Sequence, residues 1–169
     1  RQVGADTLVI PRQSFNHGAT RDMALRHLAT SDVVVFLTQD AVPADHQALA
    51  TLVKAFENPQ VGAAFGRQLP HGDATPIAAH ARLFNYPPVS RLVDAGDIPS
   101  LGIKTAFLSN SFAAYRRQAL IEAGGFPHGT ILSEDMIAGA RLLKAGWALA
   151  YQSDACVYHS HNYTLLEEA

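Results

Sequence analysis

Residues 33–37 (VVVFL) constrain the fold of this chain more than any other segment. All five side chains are apolar and three are β-branched, a pattern typical of a strand buried on both faces of a parallel sheet. The polar residues Thr38, Gln39 and Asp40 follow directly, at the carboxyl end of the predicted strand. Open α/β sheets bind their ligands beyond that end of the strands. The segment therefore predicts an α/β protein with a ligand site beside Asp40.

Strand and helix patterns alternate along the rest of the chain. The period-2 and apolar segments predict further strands, and the 3.6-residue periods predict helices with recognisable ends. The predicted strands are 7–10, 61–66, 106–115, 147–151 and 156–159. The predicted helices are 19–28, 45–57, 117–123 and 134–145. In the second helix Leu49, Leu52, Val53 and Phe56 are expected to face inward, and Ser133 is expected to cap the last helix. Residues 68–100 show only a weak helical pattern near 77–84, which indicates a functional loop region. This alternation predicts a doubly wound sheet.

The composition excludes several classes of function. The chain has 169 residues, 48% of them hydrophobic, as expected for one globular domain with a sizeable core. Its net charge is −2, and without a basic stripe it does not fit a protein that binds nucleic acid by neutralising phosphates. No apolar run approaches the roughly 18 residues of a transmembrane helix. The single cysteine, Cys156, cannot form an internal disulfide, which either fits a reducing cytoplasm or carries no information about location.

Three carboxylates stand where chemistry is expected. Asp40 suits Mg²⁺ or Mn²⁺ bridging a diphosphate, although an aspartate that merely stabilises a turn is an equally good interpretation. Glu134 and Asp135 begin a predicted helix, so one of them can face a cleft and act as a general base. Taken alone, the pair fits two ordinary acids at a helix N-terminus better.

Two further groups of residues could bind ligands. His159 ends a predicted strand and His161 is two residues further on. In extended backbone both imidazoles can face one metal ion, or both are simply polar residues. The segment from Asn16 to Arg21 is a turn leading into a helix N-terminus, where backbone N–H groups attract anions. That signal is weak by itself.

Six segments together make the chain resemble family 2 glycosyltransferases of the GT-A fold, and among them bacterial rhamnosyltransferases. They are 15–22 (FNHGATRD), 36–43 (FLTQDAVP), 66–70 (GRQLP), 84–87 (FNYP), 133–135 (SED) and 157–164 (VYHSHNYT). The resemblance extends over essentially the whole chain and rests on the combination of segments. It implies a Rossmann-like, mixed or parallel sheet flanked by helices, with a nucleotide-sugar donor and an inverting mechanism.

The resemblance also implies roles for residues. Residues 38–41 take the place of the DXD-type motif, so Asp40, with Gln39 beside it, would hold Mn²⁺ or Mg²⁺ on the donor diphosphate. The usual first acid of that motif is absent here, which leaves the metal site one carboxylate short. His159 or His161 would complete it. Residues 134 and 135 match the ED motif, in which the second acid is the catalytic base.

That assignment makes Asp135 the base and gives Glu134 the task of orienting the acceptor. Asn16, His17, Gly18 and Arg21 resemble the loop and helix start that lie beside the nucleotide in this family. Residues 68–103, with 109–110, would shape the acceptor pocket.

The resemblance further implies that residues 1–169 are one partial domain. Residues 1–66 would be the remainder of the donor-nucleotide half, and residues 67–169 the acceptor and catalytic half. The first strands of the fold are expected to be missing, and with them the aspartate that contacts the nucleotide base. We therefore expect weak donor binding, and self-association through an exposed strand edge.

The same resemblance suggests partners and a location. The donor would be dTDP-rhamnose or a UDP-sugar, and the acceptor a saccharide or glycolipid of the cell surface. The place of work would be the cytoplasm, with peripheral association at the inner face of the membrane.

Two other functions fit the same residues. Asp40, Asp135 and the two histidines also suit a metal-dependent hydrolase or phosphotransferase, which would release phosphate without an acceptor sugar. The third interpretation is a noncatalytic sugar-binding or assembly domain, which the shortened DXD-type motif favours and the retained Asp135 opposes.

Overall fold

The computed structural model describes residues 4–130 and 133–162. Within them, six strands form one mixed sheet with the order β1-β5-β3-β6-β2, and β4 also pairs with β6. The strands are β1 (Val33–Leu37), β2 (Val42–Pro43), β3 (Val61–Leu69), β4 (Arg91–Val93), β5 (Phe112–Arg116) and β6 (Ala148–Tyr158). The central pair β3 and β6 is parallel, and the other pairs are antiparallel.

In the described part of the chain, six α-helices and four 3₁₀ segments surround the sheet. The helices are α1 (His17–His27), α2 (Ala48–Val53), α3 (Pro76–Asn85), α4 (Ile98–Leu101), α5 (Arg117–Glu122) and α6 (Glu134–Lys144). The 3₁₀ segments are Arg12–Ser14, Lys54–Glu57, Ala95–Asp97 and Gly102–Ala106. Within the described ranges, no helix has both the length and the apolar composition needed to cross a membrane.

The sheet separates two hydrophobic clusters because neighbouring residues of a strand face opposite sides. Phe65, Tyr115 and Leu149 pack on one side with residues of α1, α5 and α6. Ala64, Ala114 and Ala150 pack on the other side with α2. Small residues on that second side let α2 lie close to the sheet. The expected class, a mixed sheet flanked by helices, is confirmed.

The prediction that β1 is buried on both faces of a parallel sheet was wrong. β1 pairs antiparallel with β5 and lies at the end of the sheet in the described part of the chain. Val34 is 2% exposed, whereas Leu37 is 47% exposed. An apolar sequence predicts a strand, but it does not determine the direction of the neighbouring strand.

Several element boundaries also differ from the predictions. Residues 7–10 are irregular, and Val9 is 85% exposed, because no described strand pairs with them. The strand expected at 106–115 begins only at Phe112. In the second helix Leu49 faces solvent, and Ser133 adopts a left-handed φ of 66° and makes no side-chain cap.

The last two predicted strands are one strand. β6 runs continuously from Ala148 to Tyr158, and its register against β3 shifts between the pairs Gly66–Gln152 and Arg67–Cys156. Residues 153–155 form a bulge at the place where a turn was predicted, and the Ser153 N–H donates to Ser90 Oγ at 2.9 Å. Gly66 is required here because a Cβ would overlap Phe112 and the Ala155 carbonyl. The bulge lets one strand deliver residues 159–161 to the end of the sheet.

Candidate active site

Asp40, His159 and His161 meet at one end of the sheet. Asp40 lies in the turn after β1, and the two histidines follow β6 directly. His159 Nε2 is 3.4 Å from Asp40 Oδ2, and His161 Nε2 is 3.7 Å from the same oxygen. One ligand atom from each residue can be chosen so that all three lie within 4.8 Å of one another. The structure thus brings together the three residues that the sequence suggested as metal ligands.

The electrostatics of this group suit a cation. Burial tends to raise the pKa of Asp40, but hydrogen bonding in its own turn and the two imidazoles outweigh burial and lower that pKa. Burial also lowers the pKa of His159, although the Asp40 carboxylate opposes this change. At neutral pH the site therefore holds an ionised carboxylate and a neutral imidazole, the protonation states that bind metal ions.

The spacing of the donor atoms also fits a divalent cation. Two ligand atoms about 2.1 Å from one cation and at right angles to each other are about 3 Å apart. The observed separations of 3.4 and 3.7 Å need only a slight contraction. One carboxylate with two imidazoles is a mixed set of oxygen and nitrogen ligands. Mg²⁺ prefers oxygen ligands only, so this set suits Mn²⁺ better than Mg²⁺.

A group of hydrogen-bonded polar side chains lies beside Nδ1 of His159, the ring nitrogen that does not face Asp40. His159 Nδ1 is 2.8 Å from Gln68 Oε1, which also accepts from Arg82 Nη1 at 3.1 Å. Gln68 Nε2 donates to Ser109 Oγ at 2.8 Å. Gln68 is 1% exposed. The sequence analysis placed Gln68 and Arg82 only within the segment 68–103 expected to shape the acceptor pocket, and it did not predict their contacts with each other and with His159.

Asp135 lies in the first turn of α6 with both carboxylate oxygens engaged. Oδ2 accepts from the Asn110 N–H at 3.2 Å, and Oδ1 accepts from the Met136 N–H at 2.9 Å. Burial raises the pKa of Asp135, and the negative charge of Glu134 adds to this rise, while the two N–H donors and Arg21 oppose it. The raised pKa brings this carboxylate closer to the range of a general base.

Ser109 and Asn110 connect the two groups. Ser109 binds Gln68, which holds His159, and the next residue binds Asp135. Asp135 and the Asp40 group are therefore both connected to the segment 109–110.

Glu134 pairs with Arg21. The two side chains are 10% and 16% exposed, so the ion pair is largely buried. It joins α1 to α6. The suggested roles of Glu134 toward an acceptor and of Arg21 toward a diphosphate remain predictions.

The segment 16–22 holds the start of α1 in place. Asn16 caps the helix by accepting from the Ala19 N–H at 3.0 Å, and its amide donates to the Thr130 carbonyl at 3.2 Å. Gly18 is buried against Pro127, so that a Cβ would overlap the Pro127 carbonyl oxygen. The His17 ring packs edge-on against Phe15, and Gln39 is exposed in the turn before Asp40. Contact of Asn16, His17, Gly18 or Gln39 with a donor stays a prediction.

An apolar cavity of about 430 Å³ lies within the expected acceptor region. Its wall includes Phe84, Lys104, Phe107 and Tyr151. Tyr86 contacts the rings of Phe107 and Tyr151, and its pKa is raised by burial, with Asp135 close enough to contribute. Residues of the segment 84–107 thus line part of this cavity.

The chain is similar in sequence to known proteins. The sequence profile described as "Glycosyltransferase like family 2" matches residues 3–168. The O-antigen chain rhamnosyltransferase RfbN of Salmonella typhimurium is 52% identical over 159 residues, which are 94% of this chain and 51% of that protein. The O-antigen chain rhamnosyltransferase WbaN of Salmonella anatum is 52% identical over 161 residues, 95% of this chain and 51% of that protein. The chain spans about half the length of the curated relatives it matches.

A solved structure shows the same fold. It is the mannosyltransferase PcManGT from Pyrobaculum calidifontis, in complex with GDP-Man and Mn²⁺. The TM-score is 0.62 with 22% sequence identity, over 91% of this chain and 39% of that protein. The fold is therefore that of GT-A glycosyltransferases, as the sequence resemblance implied. From its sequence match over residues 3–168, the chain belongs to glycosyltransferase family 2.

Proposed function

We propose that this chain carries the catalytic residues of an inverting glycosyltransferase, which transfers a sugar from a nucleotide donor to a hydroxyl of a glycan or glycolipid. The main support is that Asp135, a partly buried carboxylate with a raised pKa, is bound by the Asn110 N–H, while the preceding residue, Ser109, is connected through Gln68 to the Asp40, His159 and His161 group. A base and a site for positive charge are the two groups that a single displacement at a sugar carbon requires.

In the proposed step, Asp135 accepts the proton of the acceptor hydroxyl. The hydroxyl oxygen forms a bond to the anomeric carbon as the bond from that carbon to the diphosphate oxygen breaks. The electron pair of the broken bond leaves with the nucleoside diphosphate. The N–H groups of Asn110 and Met136 hold the carboxylate in place for this proton transfer.

Asp40, His159 and His161 would hold a divalent cation, and their spacing and protonation states fit one. The chemistry that a bound cation supplies is neutralisation of the charge that develops on the departing diphosphate. Asp40 Oδ2 lies 3.4 Å from His159 Nε2 and 3.7 Å from His161 Nε2, so one cation could contact all three atoms.

The relatives suggest the donor sugar and the place of work. Two proteins that are 52% identical are named O-antigen chain rhamnosyltransferases, which supports rhamnose as the transferred sugar. The donor would then be dTDP-rhamnose, with UDP-sugars as the next choice. A growing surface polysaccharide would be the acceptor, with transfer in the cytoplasm at the inner face of the membrane.

Transfer from dTDP-rhamnose to a lipid-linked or free saccharide, with Mn²⁺ or with EDTA, tests this function. We expect Asp135→Asn to lower kcat by about 10²- to 10⁴-fold, the usual contribution of a general base. Asp40→Asn should reduce the response to Mn²⁺. The exposed Asp154→Asn is the matched control and should leave the rate unchanged.

Three results would contradict the proposal. The first is an undiminished rate in Asp135→Asn. The second is release of phosphate from simple esters without any acceptor, which would indicate a hydrolase or phosphotransferase. The third is saccharide binding without transfer by the full-length protein, which would indicate a noncatalytic domain.

A further inference from the structure

Gln68 occupies an unusual position for an amide side chain. It lies near the end of β3, is 1% exposed, and has apolar residues of β6 as sheet neighbours. Burying an amide without hydrogen bonds costs free energy, so the hydrogen-bond partners of Gln68 explain why an amide is tolerated here. They are Arg82, Ser109 and His159.

The orientation of the Gln68 amide follows from Arg82. A guanidinium only donates hydrogen bonds. The Gln68 atom that lies 3.1 Å from Arg82 Nη1 must therefore be the carbonyl oxygen Oε1. The amide nitrogen then faces Ser109 Oγ at 2.8 Å, which can accept.

The orientation of Gln68 in turn determines the tautomer of His159. Oε1 is also 2.8 Å from His159 Nδ1, and because Oε1 only accepts, Nδ1 must carry the proton. In the neutral ring Nε2 is then unprotonated, and Nε2 is the atom that faces Asp40 Oδ2 at 3.4 Å. Without Gln68, the carboxylate of Asp40 would favour a proton on Nε2, and that proton would block a cation.

The backbone holds the two residues in this relation. Leu69 and Tyr158 are opposite each other in the parallel pair of β3 and β6, and the His159 N–H donates to the Leu69 carbonyl at 2.9 Å. The hydrogen bonds between β3 and the end of β6 thus place the side chains of Gln68 and His159.

We propose that Gln68 is a positioning residue that fixes His159 as the Nδ1–H tautomer and so presents an unprotonated Nε2 to a divalent cation beside Asp40. This inference rests on the cation site of the proposed function. Through Ser109 the same amide also links the cation site to the segment that binds Asp135. Partners of this kind typically contribute 10- to 100-fold to metal affinity.

The first measurement needs no metal and no variant of Gln68. Long-range ¹H–¹⁵N NMR at pH 8, above the ordinary histidine pKa of about 6.5, reports which ring nitrogen carries the proton. His159→Gln identifies the signal among the eight histidines. We expect Nδ1–H in the wild type. An Nε2–H tautomer would overturn the proposal.

The second measurement is Mn²⁺ affinity by titration calorimetry or EPR. Gln68→Met keeps the size of the side chain but removes the acceptor, so we expect a Kd about 10- to 100-fold weaker and a shift to Nε2–H. Gln68→Glu keeps the acceptor and should retain both the tautomer and the affinity. Gln118→Met, at an exposed glutamine of α5, is the control for the change to methionine.

The outcomes separate this inference from the proposed function. Wild-type affinity and tautomer in Gln68→Met would overturn the positioning role. Absence of Mn²⁺ binding in the wild type would overturn the cation site and the ligand role of His159 with it. The metal-free tautomer would then still decide whether Gln68 orients the ring.

Discussion

At the scale of single residues, Asp135 shows how a candidate catalytic carboxylate can oppose folding at neutral pH. Burial raises its pKa, so the folded protein binds the proton of this carboxyl more tightly than the unfolded chain does. Its favourable contribution to stability is therefore present at acid pH. That contribution is lost as pH rises from the unfolded-state pKa of about 3.9 to the raised pKa of the folded state.

This sign leads to a prediction for Asp135→Asn. At pH 7.5 the variant should unfold at a higher temperature than the wild type, because it removes a charge that burial disfavours. The difference should shrink below about pH 4, where the carboxyl is protonated in both states. Thermal unfolding measured from pH 3.5 to 8 tests this, with exposed Asp154→Asn as the control. A lower unfolding temperature for Asp135→Asn at pH 7.5 would contradict the prediction.

The sequence pattern indicated the candidate site residues, but it did not indicate the residues that hold them in place. Asp40, Asp135 and the histidines are polar residues at the ends of periodic segments, which the sequence shows directly. Gln68 and Arg82 act through contacts between β3, α3 and residue 159, and such contacts depend on tertiary packing. The pairing of Glu134 with Arg21 is likewise invisible in the sequence, since 113 positions separate them.

At the scale of elements, strand and helix types followed from the apolar pattern, whereas pairing did not. β1 and α6 lie where their periods predicted them. The antiparallel direction of β1 and the continuity of β6 depend on neighbours that the local pattern does not encode. Polar residues 152–154 suggested a turn, but the bulge beside Gly66 accommodates them within the strand.

The start of α1 gives a second prediction at this scale. In an isolated helix, replacing glycine by alanine is favourable by about 1 kcal/mol. At Gly18, however, the new Cβ would overlap the Pro127 carbonyl oxygen. We expect Gly18→Ala to destabilise the protein by about 1–3 kcal/mol, the usual cost of overpacking.

Chemical denaturation measures this change. Gly72→Ala is the matched control, because a Cβ at Gly72 has no atom within 4 Å. Equal stability of the two variants would show that residues 124–130 can move away from α1 without cost.

At the scale of the whole molecule, the candidate cation site brings together residues that are far apart in the sequence, namely Asp40 with His159 and His161. Mn²⁺ should therefore stabilise the whole fold, by about 2.7 kcal/mol at a concentration 100 times the Kd. Mg²⁺ at the same concentration should stabilise less, because two of the three ligands are imidazoles. Differential scanning calorimetry of the wild type and Asp40→Asn provides the measurement. The same rise in the variant would place the cation elsewhere.

The position of these ligands in the sequence has a kinetic consequence. Asp40 and His159 are 119 positions apart in the sequence. His159 reaches Asp40 only when β6 has paired with β3. A cation would thus gain its ligands late in folding, after most long-range pairing is complete. Interactions absent from the folding transition state slow unfolding and leave the folding rate nearly unchanged. We therefore expect Mn²⁺ to lengthen the lifetime of the native protein without accelerating its formation.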